Sequence, residues 1–158
     1  MGGEMNAPVE TVDGTGAQGA RKRQGSREWV YMQVPATTPA GTPMIVTYDG
    51  DEEVMVKGVA PATLAVYQEV AVNPTLAGSA AEFQWCQVRG LCEVLCDGTT
   101  DIAKDDYLEL LNAETALVKD STARSTNSVA IACEAYTATP DALTTVQLLG
   151  DRVIVAAS

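Results

Sequence analysis

The second half of the chain, from Glu82 to Val155, constrains the fold most, because it consists of short apolar segments separated by turn sequences. Within it, small apolar residues occupy every second position of one run: Cys86, Val88, Gly90, Cys92, Val94 and Cys96. A period of two is typical of a strand with one buried face. Further strand-like segments follow at residues 107–111, 116–120, 128–135, 145–149 and 152–155. The pattern predicts an all-β domain that works by presenting a surface.

The first half contains similar segments. Residues 29–34 alternate and stop at Pro35, and residues 64–72 end at Asn73-Pro74. Residues 44–48 and 54–60 flank Asp49-Gly50-Asp51-Glu52-Glu53, which we interpret as a hairpin turn because Asp-Gly supports positive dihedral angles. This spacing of turn signals predicts a small β-sandwich or a β-barrel-like domain. Propensity alone also allows helices at 101–118 and 129–136, and a short helix near 61–67 or 140–143.

The charge of the chain is large and unevenly distributed. Twenty-one acidic and ten basic residues give a net charge of −11, and residues 1–28 contribute none of it because their four acidic and four basic residues cancel. Affinity for phosphate backbones depends on Lys and Arg displacing counterions, so we expect no nucleic-acid partner. No apolar run approaches the ~18 residues needed to cross a bilayer, and the start of the chain lacks a signal-peptide pattern, so we expect no membrane partner.

Residues 1–28 are rich in glycine and contain almost no large apolar side chains. Ordering a residue costs about 1 to 2 kcal/mol, which such a segment cannot offset by burial. We therefore predict an extended, flexible N-terminal arm at 1–28 and a β-rich globular domain at 29–158. The arm holds the basic group Arg21, Lys22, Arg23 and Arg27. These side chains either dock on an acidic protein surface or only keep the chain soluble.

One sequence motif in the arm resembles a cofactor site but lacks the context that such a site needs. Gly14-Thr15-Gly16-Ala17-Gln18-Gly19 matches the dinucleotide fingerprint, yet no strong strand precedes it and no amphipathic helix follows. We interpret it as part of the arm and expect no cofactor.

The residues available for catalysis are few. The chain has no histidine, which excludes Ser-His and Cys-His systems. On a straight strand Cys86 and Cys92 would lie roughly 20 Å apart, so we interpret the four cysteines as free thiols rather than metal ligands. The acidic clusters fit solvated turns. We expect no enzyme, no metal and no small-molecule substrate; an enzyme using Asp105 or Asp106 is the remaining catalytic alternative.

Three segments of the second half together carry a sequence resemblance. They are Gln84-Trp85-Cys86-Gln87-Val88-Arg89-Gly90, Gly98-Thr99-Thr100-Asp101-Ile102-Ala103-Lys104-Asp105-Asp106-Tyr107-Leu108-Glu109 and Ser128-Val129-Ala130-Ile131-Ala132-Cys133-Glu134-Ala135. With a closing strand at 146–149, they resemble the small head-decoration, or cement, proteins of tailed bacteriophages. In that family a strand ending in glycine, a Gly-Thr-Thr-x-Ile/Val-x-x-Gly/Asp-Asp-x-Leu turn and an Ile-Ala-x-Ala-x-Glu-Ala strand recur. The resemblance covers residues 83–149.

The resemblance implies a structural virion protein, commonly a homotrimer, that is made in the host cytoplasm and binds the major capsid protein on the outer surface of the head, at local threefold sites. In that role it would stabilise the expanded shell. We expect the contacts to come from the basic group and from four aromatic anchors, Trp29, Tyr31, Phe83 and Trp85. A tail-tube, fibre or host-attachment domain of a phage has the same β-rich profile and is the alternative.

Overall fold

The regular structure of the protein consists of β-strands. The computed structural model describes residues 18–49, 53–60, 66–111, 114–120, 128–138, 140–150 and 153–154, the backbone alone at 66–68 and 153–154. The strands are β1 (Arg21–Gln24), β2 (Arg27–Val34), β3 (Pro43–Tyr48), β4 (Val56–Val59), β5 (Val66–Gln68), β6 (Val70–Val72), β7 (Glu82–Cys96), β8 (Tyr107–Glu109), β9 (Val118–Lys119), β10 (Ser128–Ala132), β11 (Ala142–Leu148) and β12 (Val153–Ile154). None of these described residues lies in a helix, and so none belongs to a helix that could cross a bilayer. The predicted all-β class is confirmed.

Five strands close into a barrel. They follow the order β2-β4-β3-β6-β7, and β7 pairs back with β2. The pairings are antiparallel except between β2 and β4, which run parallel where Gln33 meets Lys57. Alternate residues point inward, as the pattern of residues 29–34 predicted, and fill the interior. This barrel core consists of Val30, Met32, Val34, Met44, Val46, Val56, Ala71, Ala77, Cys86 and Val88.

A second core lies outside the barrel. The C-terminal half of β7 continues into a sheet of order β7-β11-β10-β8-β9, and a separate small sheet pairs β12 with β5. The continuing sheet contributes most of this core, which Ile45 on β3 and Val70 and Val72 on β6 complete. Its buried members are Ile45, Val70, Val72, Val94, Cys96, Ile102, Leu108, Leu110, Leu117, Val129, Ala130, Ala132, Val146 and Leu148. The molecule is therefore a barrel with a second sheet against one wall.

Gly90 joins the two halves of β7. Residues 82–89 pair with β2, whereas residues 90–96 pair with β11. Gly90 has a φ of 91°, and a Cβ there would lie 2.7 Å from the carbonyl oxygen of Ser26. Only glycine combines that backbone angle with so close an approach. The single buried face predicted for this run is therefore divided, since Val88 faces the barrel core and Val94 the second core.

Several smaller predictions are decided by the strand bounds. β3 and β4 form the predicted hairpin, in which the Asp49 N–H donates to the Met55 carbonyl at 2.8 Å; residues 50–52 lie outside the described part. The alternative of a short helix at 140–143 is wrong, because Ala142 and Leu143 begin β11. Of the other helical alternatives, 101–118 contains β8 and the start of β9, and 129–136 contains most of β10. Residues 61–65 lie outside the described residues.

The segment predicted as an arm needs one correction. β1 and β2 form an antiparallel hairpin in which Arg21 pairs with Val30 and Gln24 with Arg27. Gly25, with a φ of 60°, occupies the first turn position, where positive angles are common in tight hairpins. The boundary expected after residue 28 therefore falls inside β2, and the basic residues belong to the sheet. Residues 1–17, including most of the glycine motif, lie outside the described residues.

Candidate functional site

The four predicted anchors come together on the outer wall of the barrel. Trp29 and Tyr31 alternate on β2, Phe83 and Trp85 alternate on β7, and the register places Tyr31 opposite Trp85. The Tyr31 ring stacks on Phe83 with 5.6 Å between centroids and lies 5.2 Å from the Trp85 ring. Separations in this range are typical of favourable aromatic pairs. We call these four residues the aromatic cluster.

The aromatic cluster is only partly accessible. Tyr31 and Trp85 retain 7% and 8% of their surface, whereas Trp29 and Phe83 are half-buried. A partner can therefore contact Trp29 and Phe83 directly, while Tyr31 and Trp85 hold those rings in place.

Lys22 joins this aromatic cluster from β1. It pairs across the hairpin with Trp29, and its Nζ lies 4.9 Å from the Trp29 ring centroid and 5.0 Å from that of Trp85. A cation above an aromatic face is attracted by the ring quadrupole, typically by about 0.5 to 2 kcal/mol. Burial against the rings lowers the pKa of the Lys22 ammonium.

The basic residues do not form one patch, because neighbours on a strand project to opposite faces. The Arg21 guanidinium donates to both carboxylate oxygens of Glu69, at 2.9 and 2.6 Å, and to the Tyr48 hydroxyl at 3.1 Å. These bonds raise the pKa of Arg21. Arg23 is exposed, and no ion pair joins it to a described residue.

Arg27 lines a groove next to the aromatic cluster. The groove has a volume of about 250 Å³ and lies where β7 bends, so residues from both halves of that strand border it. Trp29, Trp85, Leu91, Glu93 and Leu143 are among its other lining residues.

Two leucines that line the groove were not identified as candidate site residues from the sequence. Leu91 and Leu143 are each 46% exposed, and both line the groove. The signal available for Leu91 was its outward position in the alternating run of β7. Leu143 offered none, because its place in the groove depends on the distant loop at Gly41, where a Cβ would lie 2.2 Å from the Leu143 Cδ2 atom.

The cysteines pack as small side chains. Cys86 is buried in the barrel core and Cys96 in the second core, and all four cysteines are free. Burial raises the pKa of Cys92 to about 12 and that of Cys96 to about 11, which leaves both as unreactive thiols at neutral pH. Because β7 bends at Gly90, the straight-strand distance between Cys86 and Cys92 does not apply.

The residues that carry the family pattern shape a loop between β7 and β8. Ile102 is fully buried, and its backbone exchanges two 2.9 Å hydrogen bonds with Tyr136. A Cβ at Gly98 would lie 2.5 Å from the carbonyl oxygen of Ala138. Asp105, where the family pattern has Gly or Asp, adopts a φ of 72°. Each of these positions in the pattern thus has a structural reason in this chain.

Asp106, one of the two residues of the catalytic alternative, has a carboxylate that is hydrogen-bonded within the same loop. It accepts hydrogen bonds from the Ala103 backbone N–H at 2.8 Å and from the Lys119 ammonium at 2.9 Å, and these bonds lower its pKa. A lowered pKa makes a carboxylate a poorer proton acceptor near neutral pH.

Known proteins give no assignment for this site. Within the residues that the structure covers, no group of three or more Cys, Asp or Glu side chains is placed to hold a metal ion. Comparison of the chain with protein-family models and with curated proteins found no match.

Proposed function

We propose that the protein is a structural virion component that binds the major capsid protein on the outer surface of a phage head and stabilises the expanded shell, as a homotrimer at local threefold sites. It acts by adhesion and not by catalysis.

The aromatic cluster beside the basic hairpin is the observation that carries this proposal. The half-buried Trp29 and Phe83 supply apolar area, and Arg27 supplies positive charge beside them, on a protein whose remaining charge is strongly negative. Aromatic and arginine side chains are enriched at protein interfaces. The all-β architecture and the loop at residues 98–108 agree with the resemblance to decoration proteins.

The proposed stabilisation follows from binding linkage. A protein that binds only the expanded shell stabilises it by about 2.7 kcal/mol per site when its free concentration is a hundredfold above Kd. Many equivalent sites add this contribution and oppose the internal pressure of packaged DNA. A protein that bound the precursor shell equally well would shift nothing, so the affinity must differ between the two forms.

Head binding tests the proposal. Purified protein is mixed with expanded and with unexpanded heads that lack it, and the bound fraction is measured by co-sedimentation. We expect binding to expanded heads, a weaker interaction for Trp29→Ala, and no change for Leu76→Ala, which alters an exposed apolar residue outside the aromatic cluster. Decorated, DNA-filled heads should release DNA at a higher temperature than bare heads.

Two results would contradict the proposal. Equal release temperatures for decorated and bare heads would remove the stabilising role, and electron-microscopic density found only on the tail would support the tail-module alternative. Sedimentation equilibrium checks the oligomer separately: we expect three times the mass of one chain, and a monomer would exclude the trimeric form.

A further inference from the structure

The groove at the bend of β7 has a shape suited to a partner's side chain. We infer that it receives an extended acidic segment of the capsid subunit, with an aliphatic side chain between Trp29, Leu91 and Leu143 and a carboxylate on Arg27. This inference rests on the proposed function and names the partner chemistry of the same surface.

The size and position of the groove fit such a segment. Its volume of about 250 Å³ is below the ~300–1,000 Å³ typical of small-molecule sites. Both halves of β7 line it, with Trp85 on one half and Leu91 on the other and the positive-φ Gly90 between them. A concave corner of this size accommodates one inserted side chain with its backbone lying outside.

The apolar rim of the groove is exposed and held in position. Leu91 and Leu143 are each 46% exposed and border the half-buried Trp29. Leu143 packs directly on Gly41, whose backbone N–H donates to the Asn73 carbonyl at 2.9 Å. An aliphatic side chain placed here would bury apolar surface of the leucines and the indole. Because these side chains are already held in position, binding would cost little of their conformational entropy.

The charge around the groove selects an acidic occupant. Four of the ten basic residues of the chain lie within residues 21–27, whereas residues 29–158 hold the entire net charge of −11. Arg27 lines the groove, and no ion pair joins it to a described residue. Glu93 also lines the groove and would repel a carboxylate, so Arg27 is the lining residue that can bind one.

The same charge argues against a twofold pairing of two such grooves. In that contact the Arg27 of one copy would approach the Arg27 of the other. Like charges opposed across an interface are unfavourable. An acidic segment of a different protein meets no such repulsion.

The test measures binding of charge and size variants to expanded heads by co-sedimentation. We expect Arg27→Glu to weaken binding about tenfold or more and Leu143→Ala about three- to tenfold. Raising NaCl from about 0.05 to 0.5 M should weaken the wild type more than Arg27→Glu, because salt screens the Arg27 contact. Lys104→Glu makes the same change in charge on an exposed residue outside the groove, and Leu111→Ala the same truncation; both should bind like the wild type.

The outcomes separate this inference from the proposed function. Wild-type binding to expanded heads with undiminished binding of Arg27→Glu and Leu143→Ala would overturn the groove assignment and leave the proposed function intact. No binding of the wild type would overturn both. Self-association of the wild type that Leu143→Ala abolishes, with head binding retained, would assign the groove to a second copy instead. Circular dichroism and thermal melting of each variant check that it is folded.

Discussion

Asp105 shows how one backbone angle explains a position in the family pattern. Its φ of 72° lies in the left-handed region, where glycine is free of strain and Asp is tolerated better than most residues. The preceding residues turn there so that the Asp105 N–H can donate to the Ala132 carbonyl at 2.8 Å. The presence of an aspartate at position 105 of this chain therefore has a structural reason in its backbone angle.

The first prediction concerns this residue. Asp105→Ala should lower the free energy of unfolding by about 1 kcal/mol, because alanine keeps the Cβ clash of the left-handed region but lacks the short polar side chain that makes this conformation tolerable for aspartate. Asp105→Gly should stay within about 0.5 kcal/mol of the wild type, as should Asp101→Ala at an exposed position of the same loop. Urea unfolding measures all three. A loss for Asp105→Gly as large as that for Asp105→Ala would show that the carboxylate matters more than the angle.

Glu109 gives a prediction about pH. Burial, and then the nearby charge of Asp120, raise the pKa of Glu109. The folded state therefore disfavours the ionised form, and this cost to stability is present above the folded pKa and disappears as the pH falls through it. Glu109→Gln should melt at a higher temperature than the wild type at pH 7, and the difference should vanish at about pH 4.

Glu114→Gln is the control for that experiment, because Glu114 is exposed. Thermal melting followed by circular dichroism at both pH values measures the effect. A lower melting temperature for Glu109→Gln at pH 7 would mean that the ionised carboxylate makes a stabilising contact.

At the scale of elements, β7 is the strand on which the fold depends. It forms a wall of the barrel through β2 and β6, and then the first strand of the second sheet through β11. The change of direction occurs at Gly90, beside the turn of the β1–β2 hairpin, and a register shift between Glu28 and Trp29 marks the irregularity on the partner strand. The groove, the hairpin and both cores all depend on this one bend.

Gly90→Ala should therefore be strongly destabilising. The positive φ and the 2.7 Å approach to the Ser26 carbonyl oxygen together predict a loss of about 3 kcal/mol. Gly78→Ala is the matched control, since its Cβ would meet only the flexible Glu82 carboxylate at 3.3 Å, and it should change stability by less than about 1 kcal/mol. Urea unfolding compares them. Equal stabilities would mean that β7 can bend without glycine.

Local patterns predicted most of these elements, because strand alternation is a property of neighbouring residues. The run from Cys86 to Cys96 predicted a strand, and a glycine inside such a run is a known signal for a bulge or bend. Which core each half would face could not be predicted, since Val94 belongs to a core that Val72 and Ile45 complete from a different part of the chain. The groove was missed for the same reason, whereas the strand positions of the four aromatic residues were predicted because each stands on an alternating segment.

At the scale of the whole molecule, the charge is arranged asymmetrically. The β1–β2 hairpin carries four basic residues, and the body carries the negative charge. Composition alone predicted this separation but assigned the hairpin to an arm, because residues 1–28 are rich in glycine and contain almost no large apolar side chains. Tertiary contacts overcame that preference: Arg21 bonds to Glu69, and Lys22 lies over Trp29.

Truncated chains test whether the β1–β2 hairpin stabilises the rest of the protein. A chain that begins at Trp29 lacks β1 and the contacts of Arg21 and Lys22, so it should melt at a lower temperature than the full chain and expose the aromatic cluster. A chain that begins at Gln18 keeps the hairpin and should exceed the shorter chain in stability. Thermal melting and tryptophan emission measure both, because Trp29 and Trp85 are the two tryptophans of the chain. Identical melting of the two truncated chains would show that the hairpin adds nothing to the body.

The shared strand also limits how this fold can be recombined. The segment that resembles decoration proteins begins within β7, yet its core is completed by Ile45, Val70 and Val72 from the unmatched part of the chain. A chimaera that joined the C-terminal sheet to another protein at Gly90 would leave that sheet without the buried apolar side chains that complete its core. Substitutions at Ile45, Val70 or Val72 are therefore constrained by the side-chain volumes of the C-terminal sheet.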